Sequence, residues 1–137
     1  MRQKKVWIVP CSGIGKTYGS VAREGAFIIT EDLRPATAQI MPLALLVPED
    51  SEARESIRES KSITIDGCKL ACAAKVVTET GGTVAHALQV LDVFREHRDL
   101  KPAGIAELNE GGKKLAAVLA EQVSALVDEI EQERQDA

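Results

Sequence analysis

Short apolar runs rich in β-branched residues alternate along this chain with longer segments of helical periodicity. Runs bounded by proline, glycine or aspartate are typical of strands buried on both faces of a sheet. Four strands are predicted in this way, at residues 5–10, 43–47, 62–66 and about 87–91. The segments that follow the first three strands predict helices at residues 20–29, 49–60 and 69–80.

A long amphipathic helix is predicted at residues 108–134. One face of it is apolar, formed by Leu115, Leu119, Val123, Leu126 and Ile130. The alternation of strands and helices before it indicates βαβ units with right-handed crossovers. We therefore expect an α/β fold, a three-layer sandwich with a mainly parallel sheet of about four strands. At 137 residues the chain is expected to form one domain, residues 1–137.

Composition and charge exclude several classes of function. Aromatic residues make up only 3% of the chain and no basic patch is present, so no nucleic acid is expected as a partner. The apolar run at residues 6–9 stops at Pro10, too short for a signal peptide or a membrane span. We expect a cytoplasmic protein that does not bind membranes. The acidic last helix either packs on the sheet or binds a partner, a second copy or another protein.

Three cysteines carry the candidate chemistry. An odd number does not make a disulfide framework, and cytosolic thiols stay reduced. Cys11 follows the first predicted strand, and Cys68 comes two residues after the third. The carboxyl ends of neighbouring parallel strands lie at one edge, where ligands bind. Cys72 follows Cys68 by one helical turn, a spacing found among zinc ligands, and thiolates suit Zn²⁺ or iron–sulfur clusters. The alternative is three separate cysteines buried in the core.

The glycine-rich turn at residues 11–19 predicts backbone N–H groups arranged to hold an anion. These donors, with the start of a helix near Cys68, would lower the thiol pKa values. The residues expected to shape the turns or contact an anion are Ser12, Gly13, Gly15, Lys16, Thr17 and Gly67.

Other interpretations of the same turn are weaker or remain open. It resembles a P-loop, but the first glycine of that pattern is replaced by Pro10, which has no N–H to offer a phosphate. A cysteine-dependent phosphatase or arsenate reductase loop would need an arginine six residues after Cys11 to bind the oxyanion, and that position is occupied by Thr17. A thiol-dependent redox or transfer enzyme stays open, with Cys11 as nucleophile and Cys68 and Cys72 as a resolving pair, although residues i and i+4 of one helix are poorly placed for a disulfide.

Several motifs resemble the DGC-domain family of zinc-binding proteins. They are Cys11-Ser-Gly13, Gly19-Ser-Val-Ala-Arg-Glu24 and Ile65-Asp66-Gly67-Cys68 followed by Cys72-Ala73, and the similarity runs over residues 5–92. The resemblance implies a cysteine-based metal site, holding zinc, with no established reaction.

The chain departs from this family at one point, because the fourth cysteine that many members carry near the second strand is absent from residues 40–43. A site of three thiolates then needs a fourth donor: Asp66, His86, water or a substrate atom. An open position is typical of catalytic or exchangeable metal sites. The same cysteines could hold an iron–sulfur cluster with one iron open to a ligand. For Asp66 the competing interpretation is a turn hydrogen bond, and for His86 an ordinary, partly exposed side chain.

Overall fold

The computed structural model describes residues 4–13, 15–49, 51–67 and 69–136. It contains a parallel sheet of four strands in the order β2–β1–β3–β4. The strands are β1 (Val6–Pro10), β2 (Ala38–Ile40), β3 (Lys61–Asp66) and β4 (Thr83–Gln89). The α-helices are α1 (Thr17–Phe27), α2 (Glu52–Glu59), α3 (Cys72–Glu79), α4 (Val90–Arg95) and α5 (Glu110–Asp136). The predicted α/β class with a parallel sheet and a long last helix is confirmed.

The helices form two groups around the central strands. The first group consists of α1, α4 and α5, with α1 lying against β1 and β3. In the second, α2 lies against β3, and α3 lies against β3 and β4. Consecutive residues of β1 and β3 are buried, as expected for strands covered on both faces. Ile8, Ile63 and Ile65 are the largest of the completely buried side chains in these strands.

The sheet has a topological switch point between β1 and β3. The connection through α1 leads from β1 to β2 on one side, and the connection through α3 leads from β3 to β4 on the other. A crevice forms where the chain leaves neighbouring strands in opposite directions, and ligands of open α/β sheets bind there. The fold therefore marks the carboxyl ends of β1 and β3 as the place for a site.

The predicted second strand at residues 43–47 is wrong. Leu43–Leu46 is a 3-10 turn, and the strand that pairs with β1 is the short Ala38–Ile40. After Pro42 the chain turns, with the Leu45 amide donating to the Pro42 carbonyl (3.1 Å). Leu45 and Val47 are 53% and 66% exposed, whereas Leu46 is completely buried, so only part of this apolar run enters the core.

Other boundaries also differ from the predicted ones. The fourth strand ends at Gln89, and residues 90–91 already belong to α4. The first helix begins at Thr17, three residues earlier than predicted, and continues into a π-helical turn, Ile28–Leu33. The third helix begins at Cys72 and not at residue 69. The argument that Cys68 and Cys72 lie one turn apart on one helix is therefore wrong.

The long last helix packs within its own chain. Its apolar face lies against α1, the π-helical turn and α4, and Leu115, Leu119 and Val123 are completely buried. Of the predicted face only Leu126 remains partly exposed. None of the helices that the structure describes is both long and apolar enough to cross a membrane.

Candidate metal-thiolate site

Cys11 lies at the predicted edge of the sheet, directly after β1. β1 and β3 pair in parallel with Pro10 opposite Ile65, and the Cys11 amide donates to the Ile65 carbonyl (2.9 Å). Because Cys11 continues the pairing by one residue, its backbone position is fixed by the sheet. The side chain is buried, with 8% of the residue exposed.

A hydrogen bond joins the turn after β1 to the turn after β3. The backbone N–H of Gly67 donates to Sγ of Cys11 at 3.2 Å, and the contact is buried. From Gly67 the chain continues directly into Cys68. An N–H donor favours the thiolate over the thiol, since only the charged sulfur is a strong acceptor. The two turns predicted to meet therefore do meet, at the sulfur of Cys11.

Three glycines allow the close approach of backbone segments around this sulfur. A Cβ on Gly19, in the first turn of α1, would overlap the carbonyl of Gly13. Gly13 has φ +48°, in the left-handed region, and a Cβ there would lie 3.3 Å from Sγ of Cys11. A Cβ on Gly67 would lie 3.1 Å from the Gly19 amide nitrogen. The turns fit against α1 because side chains are missing at these positions.

Arg23 ties the cysteine turn to α1. Its guanidinium donates to the carbonyl of Ser12 and to Oγ of Ser20 (3.2 Å), and Ser20 in turn donates to the carbonyl of Ile105. Arg23 is partly buried and has a backbone carbonyl as its partner, so it stabilises the turn rather than forming an ordinary surface ion pair.

Cys72 occupies the first turn of α3 and is exposed. The residue before it, Ala71, has φ 52° and ψ 46°, a left-handed conformation that is rare for alanine. The Ala71 carbonyl accepts from the Lys75 amide (3.0 Å), the first bond of the helix. Alanine has no side-chain acceptor, so the free N–H groups of this helix end need another partner.

Asp66 supplies that partner from the end of β3. Its Oδ1 accepts from the Ala73 amide (2.8 Å) and its Oδ2 from the Ala74 amide (3.3 Å). The residue is only 1% exposed. Burial raises the pKa of this carboxyl above its usual range, while the two N–H donors and the charge of Lys75 act in the opposite direction. Asp66 thus has a structural role, but as a cap of α3 and not through the local turn hydrogen bond considered for it.

The other predicted site residues are placed as follows. Cys68 lies outside the described residues, so its role stays a prediction. His86 lies within β4, opposite Ile63 and three residues before the strand ends, which is about 10 Å along the strand. Gly15 has φ +81°, and Lys16, the residue before α1, is exposed while Thr17 begins that helix. Their anion-binding role also stays a prediction.

Within the described ranges, no group of three or more His, Cys, Asp or Glu side chains could hold a metal ion. The predicted set of three cysteines includes Cys68, which lies outside these ranges, so this finding does not test it. The chemistry of the donor set fits such an ion, because three thiolates match the ligand preference of Zn²⁺ and of iron–sulfur clusters.

Sequence reasoning missed three features of the site. Arg23, the left-handed Ala71 and the two amides held by Asp66 carry no local motif that announces them. Gly19 was assigned to the glycine-rich turn, and the structure places it in the first turn of α1.

Comparisons with known proteins add one finding. No curated protein and no solved structure matches the chain. The family model of the DGC domain matches residues 7–130, nearly the whole length and more than the residues 5–92 that carry the motifs. The chain belongs to the DGC domain family.

Proposed function

We propose that this protein binds a metal ion, Zn²⁺, through the thiolates of Cys11, Cys68 and Cys72. The observation that carries the proposal is the hydrogen bond from the Gly67 N–H to Sγ of Cys11. It joins the turn that contains Cys11 to the residue that precedes Cys68, at the switch point of the sheet. A sulfur that accepts an N–H bond is suited to act as an anionic ligand, because such a donor favours the charged form.

The donor set leaves one coordination position for water or a substrate atom. Asp66 has both oxygens in hydrogen bonds to α3, and His86 lies away from this edge, so neither enters our proposal as the fourth donor. Three protein ligands with an open fourth position are typical of catalytic or exchangeable zinc.

Metal analysis of protein purified without air tests this proposal. We expect about one zinc per chain, and the metal is lost when any of the three cysteines is replaced by serine. The double variant His86→Ala, His97→Ala is the control for zinc held by histidines and should keep the metal. Protein that is free of metal, and whose stability does not change when zinc is added, would contradict the proposal. Sulfide and iron at stoichiometric levels would favour the cluster instead.

A second function, thiol-dependent redox or transfer chemistry, is favoured by one observation. α3 begins at Cys72, after Cys68, so the two cysteines do not share a regular helix that would hold their sulfurs apart. Quantitative formation of a disulfide between Cys68 and Cys72 under a mild oxidant, reversed by a dithiol, is expected for this function. Absence of that disulfide in metal-free, folded protein would exclude it.

A further inference from the structure

The Asp66–Gly67 dipeptide contacts both cysteine-bearing elements that the structure describes. The amide of Gly67 donates to Sγ of Cys11, and the carboxylate of Asp66 accepts from the two amides that follow Cys72. Two neighbouring residues at the end of β3 are therefore hydrogen-bonded to the sulfur of Cys11 and to the helical turn that carries Cys72.

We infer that Asp66 is a positioning residue, which sets the start of α3 and with it the location of Cys72 relative to Cys11. This inference rests on the proposed function, since the location of Cys72 matters for a shared thiolate site. Asp66 does not touch the metal in this assignment and acts through the backbone of the helix.

The residues next to Cys72 contain no capping signal that would start α3 at this position. Ala71, the residue before the helix, offers no acceptor and takes a left-handed conformation that alanine disfavours. The Ala73 and Ala74 amides are the second and third N–H groups of the helix, the ones that a capping side chain normally satisfies. Asp66 satisfies both of them from five residues before Ala71, and so the strand end determines where the helix begins.

The carboxylate also suits this role electrostatically. It is buried and forms no ion pair with any described side chain, and the partial positive charge of the α3 N-terminus lies against it. Asparagine has almost the same shape but offers one acceptor oxygen and turns an NH₂ group toward an N–H donor. Asp66→Asn should therefore release the first turn of α3 with little change in volume.

The experiment compares Asp66→Asn with the unmodified protein and with Asp128→Asn, the same substitution on α5. Zinc and Co²⁺ affinities and the Co²⁺ spectrum are measured on reduced protein, and amide hydrogen exchange is measured on metal-free protein. We expect Asp66→Asn to weaken zinc binding by about 10–100-fold, the usual effect of losing a group that orients a ligand. The Co²⁺ spectrum at saturation should stay the same, and the Ala73 and Ala74 amides should exchange at least roughly tenfold faster. Asp128→Asn should change none of these.

Four results would overturn the inference. Two concern affinity: unchanged zinc affinity in Asp66→Asn, or an equal loss of zinc affinity in Asp128→Asn. The third is a changed Co²⁺ spectrum of Asp66→Asn at saturation, which would make Asp66 a ligand. The fourth is unchanged hydrogen exchange at the Ala73 and Ala74 amides of Asp66→Asn. If the unmodified protein binds no metal, the proposed function fails, and the exchange comparison still decides whether Asp66 holds the helix. If Asp66→Asn does not fold, slow exchange of both amides in the unmodified protein supports the inference, and fast exchange overturns it.

Discussion

At the scale of single residues, the two described cysteines have different environments although all three cysteines were expected to act together. Cys11 is buried and its sulfur accepts an N–H bond, whereas Cys72 is exposed in the first turn of a helix. Access to solvent and thiolate character both govern how fast a thiol reacts. The two described cysteines should therefore be distinguishable by chemistry alone.

We predict that Cys72 is alkylated at least about tenfold faster than Cys11 in reduced, metal-free, folded protein near neutral pH. Burial keeps the reagent from Cys11, and this effect should outweigh the thiolate character given by the Gly67 amide. Mass spectrometry of peptides after timed iodoacetamide treatment measures both rates, and unfolded protein in urea serves as the control, in which the rates should converge. Faster labelling of Cys11 would instead support its role as an enzyme nucleophile.

A second residue-scale prediction concerns two glycines of α1. Replacing a glycine inside a helix by alanine normally adds up to about 1 kcal/mol of stability. At Gly19 the new methyl group would overlap the Gly13 carbonyl, which belongs to the backbone and cannot rotate away. We expect Gly19→Ala to lower the free energy of unfolding by roughly 1–3 kcal/mol.

Gly25→Ala is the matched control in the same helix, because its new Cβ would lie 2.9 Å from Cδ2 of Leu119, the end of a flexible side chain. We expect it to change stability by less than about 1 kcal/mol. Urea unfolding measures both variants. Equal stability of the two would show that the contact between the cysteine turn and α1 is looser than described.

At the scale of elements, the start of α3 combines an unfavourable conformation with a favourable cap. Left-handed Ala71 costs about 1–2 kcal/mol relative to an ordinary conformation, and the two hydrogen bonds to Asp66 offset this cost. Glycine adopts the left-handed region without strain.

We therefore predict opposite effects of two substitutions in this segment. Ala71→Gly should raise the free energy of unfolding by about 0.5 kcal/mol, the relief of strain less the entropy that glycine adds to the unfolded chain. Ala74→Gly, in the first turn of the helix, should lower it by about 0.5–1 kcal/mol. Denaturant titration of both variants checks the signs, and a loss of stability in Ala71→Gly would contradict the left-handed conformation.

At this scale, the elements that could be predicted are those whose sequence pattern lies within the element itself. β1, β3 and α5 carry dense apolar patterns of their own and were predicted nearly to the residue. β2 is only Ala38–Ile40, and its position depends on pairing with β1, a contact that no pattern within three residues reveals. The start of α3 was misplaced for the same reason, because the capping group comes from Asp66 in another element.

The candidate site divides in the same way. The meeting of the turns after β1 and β3 could be predicted, because the carboxyl ends of parallel strands lie at one edge of a sheet. The structure shows that these two strands are neighbours. The individual hydrogen bonds of the site could not be predicted. The bonds from Arg23 to Ser12 and from Gly67 to Cys11 depend on how the folded backbone brings these residues together.

At the scale of the whole molecule, the acidic last helix is bound to the rest of the chain by ion pairs. Two of its carboxylates pair with basic groups on other segments, Asp128 with Arg34 and Glu133 with Lys61, and Glu131 pairs with Arg134 of the same helix. Together with the buried apolar face, these contacts use much of the surface that was expected to bind a partner. A partner, if one binds this helix, would have to use its remaining exposed side.

The pair of Arg34 and Asp128 is bidentate, with both N–O distances at 2.8 Å, and it joins the segment before β2 to α5. The guanidinium lowers the pKa of Asp128 below its usual range, and the carboxylate raises that of Arg34. A carboxyl whose pKa is lower in the folded than in the unfolded chain adds stability above the unfolded pKa, about 4, and loses it as the pH falls through the folded value.

Asp128→Asn should therefore destabilise the protein at pH 7 and lose this effect in acid. Because Asp128 is 56% exposed, solvent screens the pair, and we expect a loss of only about 0.5–1 kcal/mol at pH 7. The loss should shrink in about 1 M salt, and it should disappear as the pH falls through the lowered pKa of Asp128, because the carboxyl of the unmodified protein then becomes protonated. Glu129→Gln is the matched control, since Glu129 forms no ion pair with a described residue, and it should leave stability nearly unchanged at every pH. A destabilisation by Asp128→Asn that stays constant from pH 7 into acid would mean that the ionised pair with Arg34 does not stabilise the protein, because the contribution of an ionised carboxylate must be lost when it is protonated.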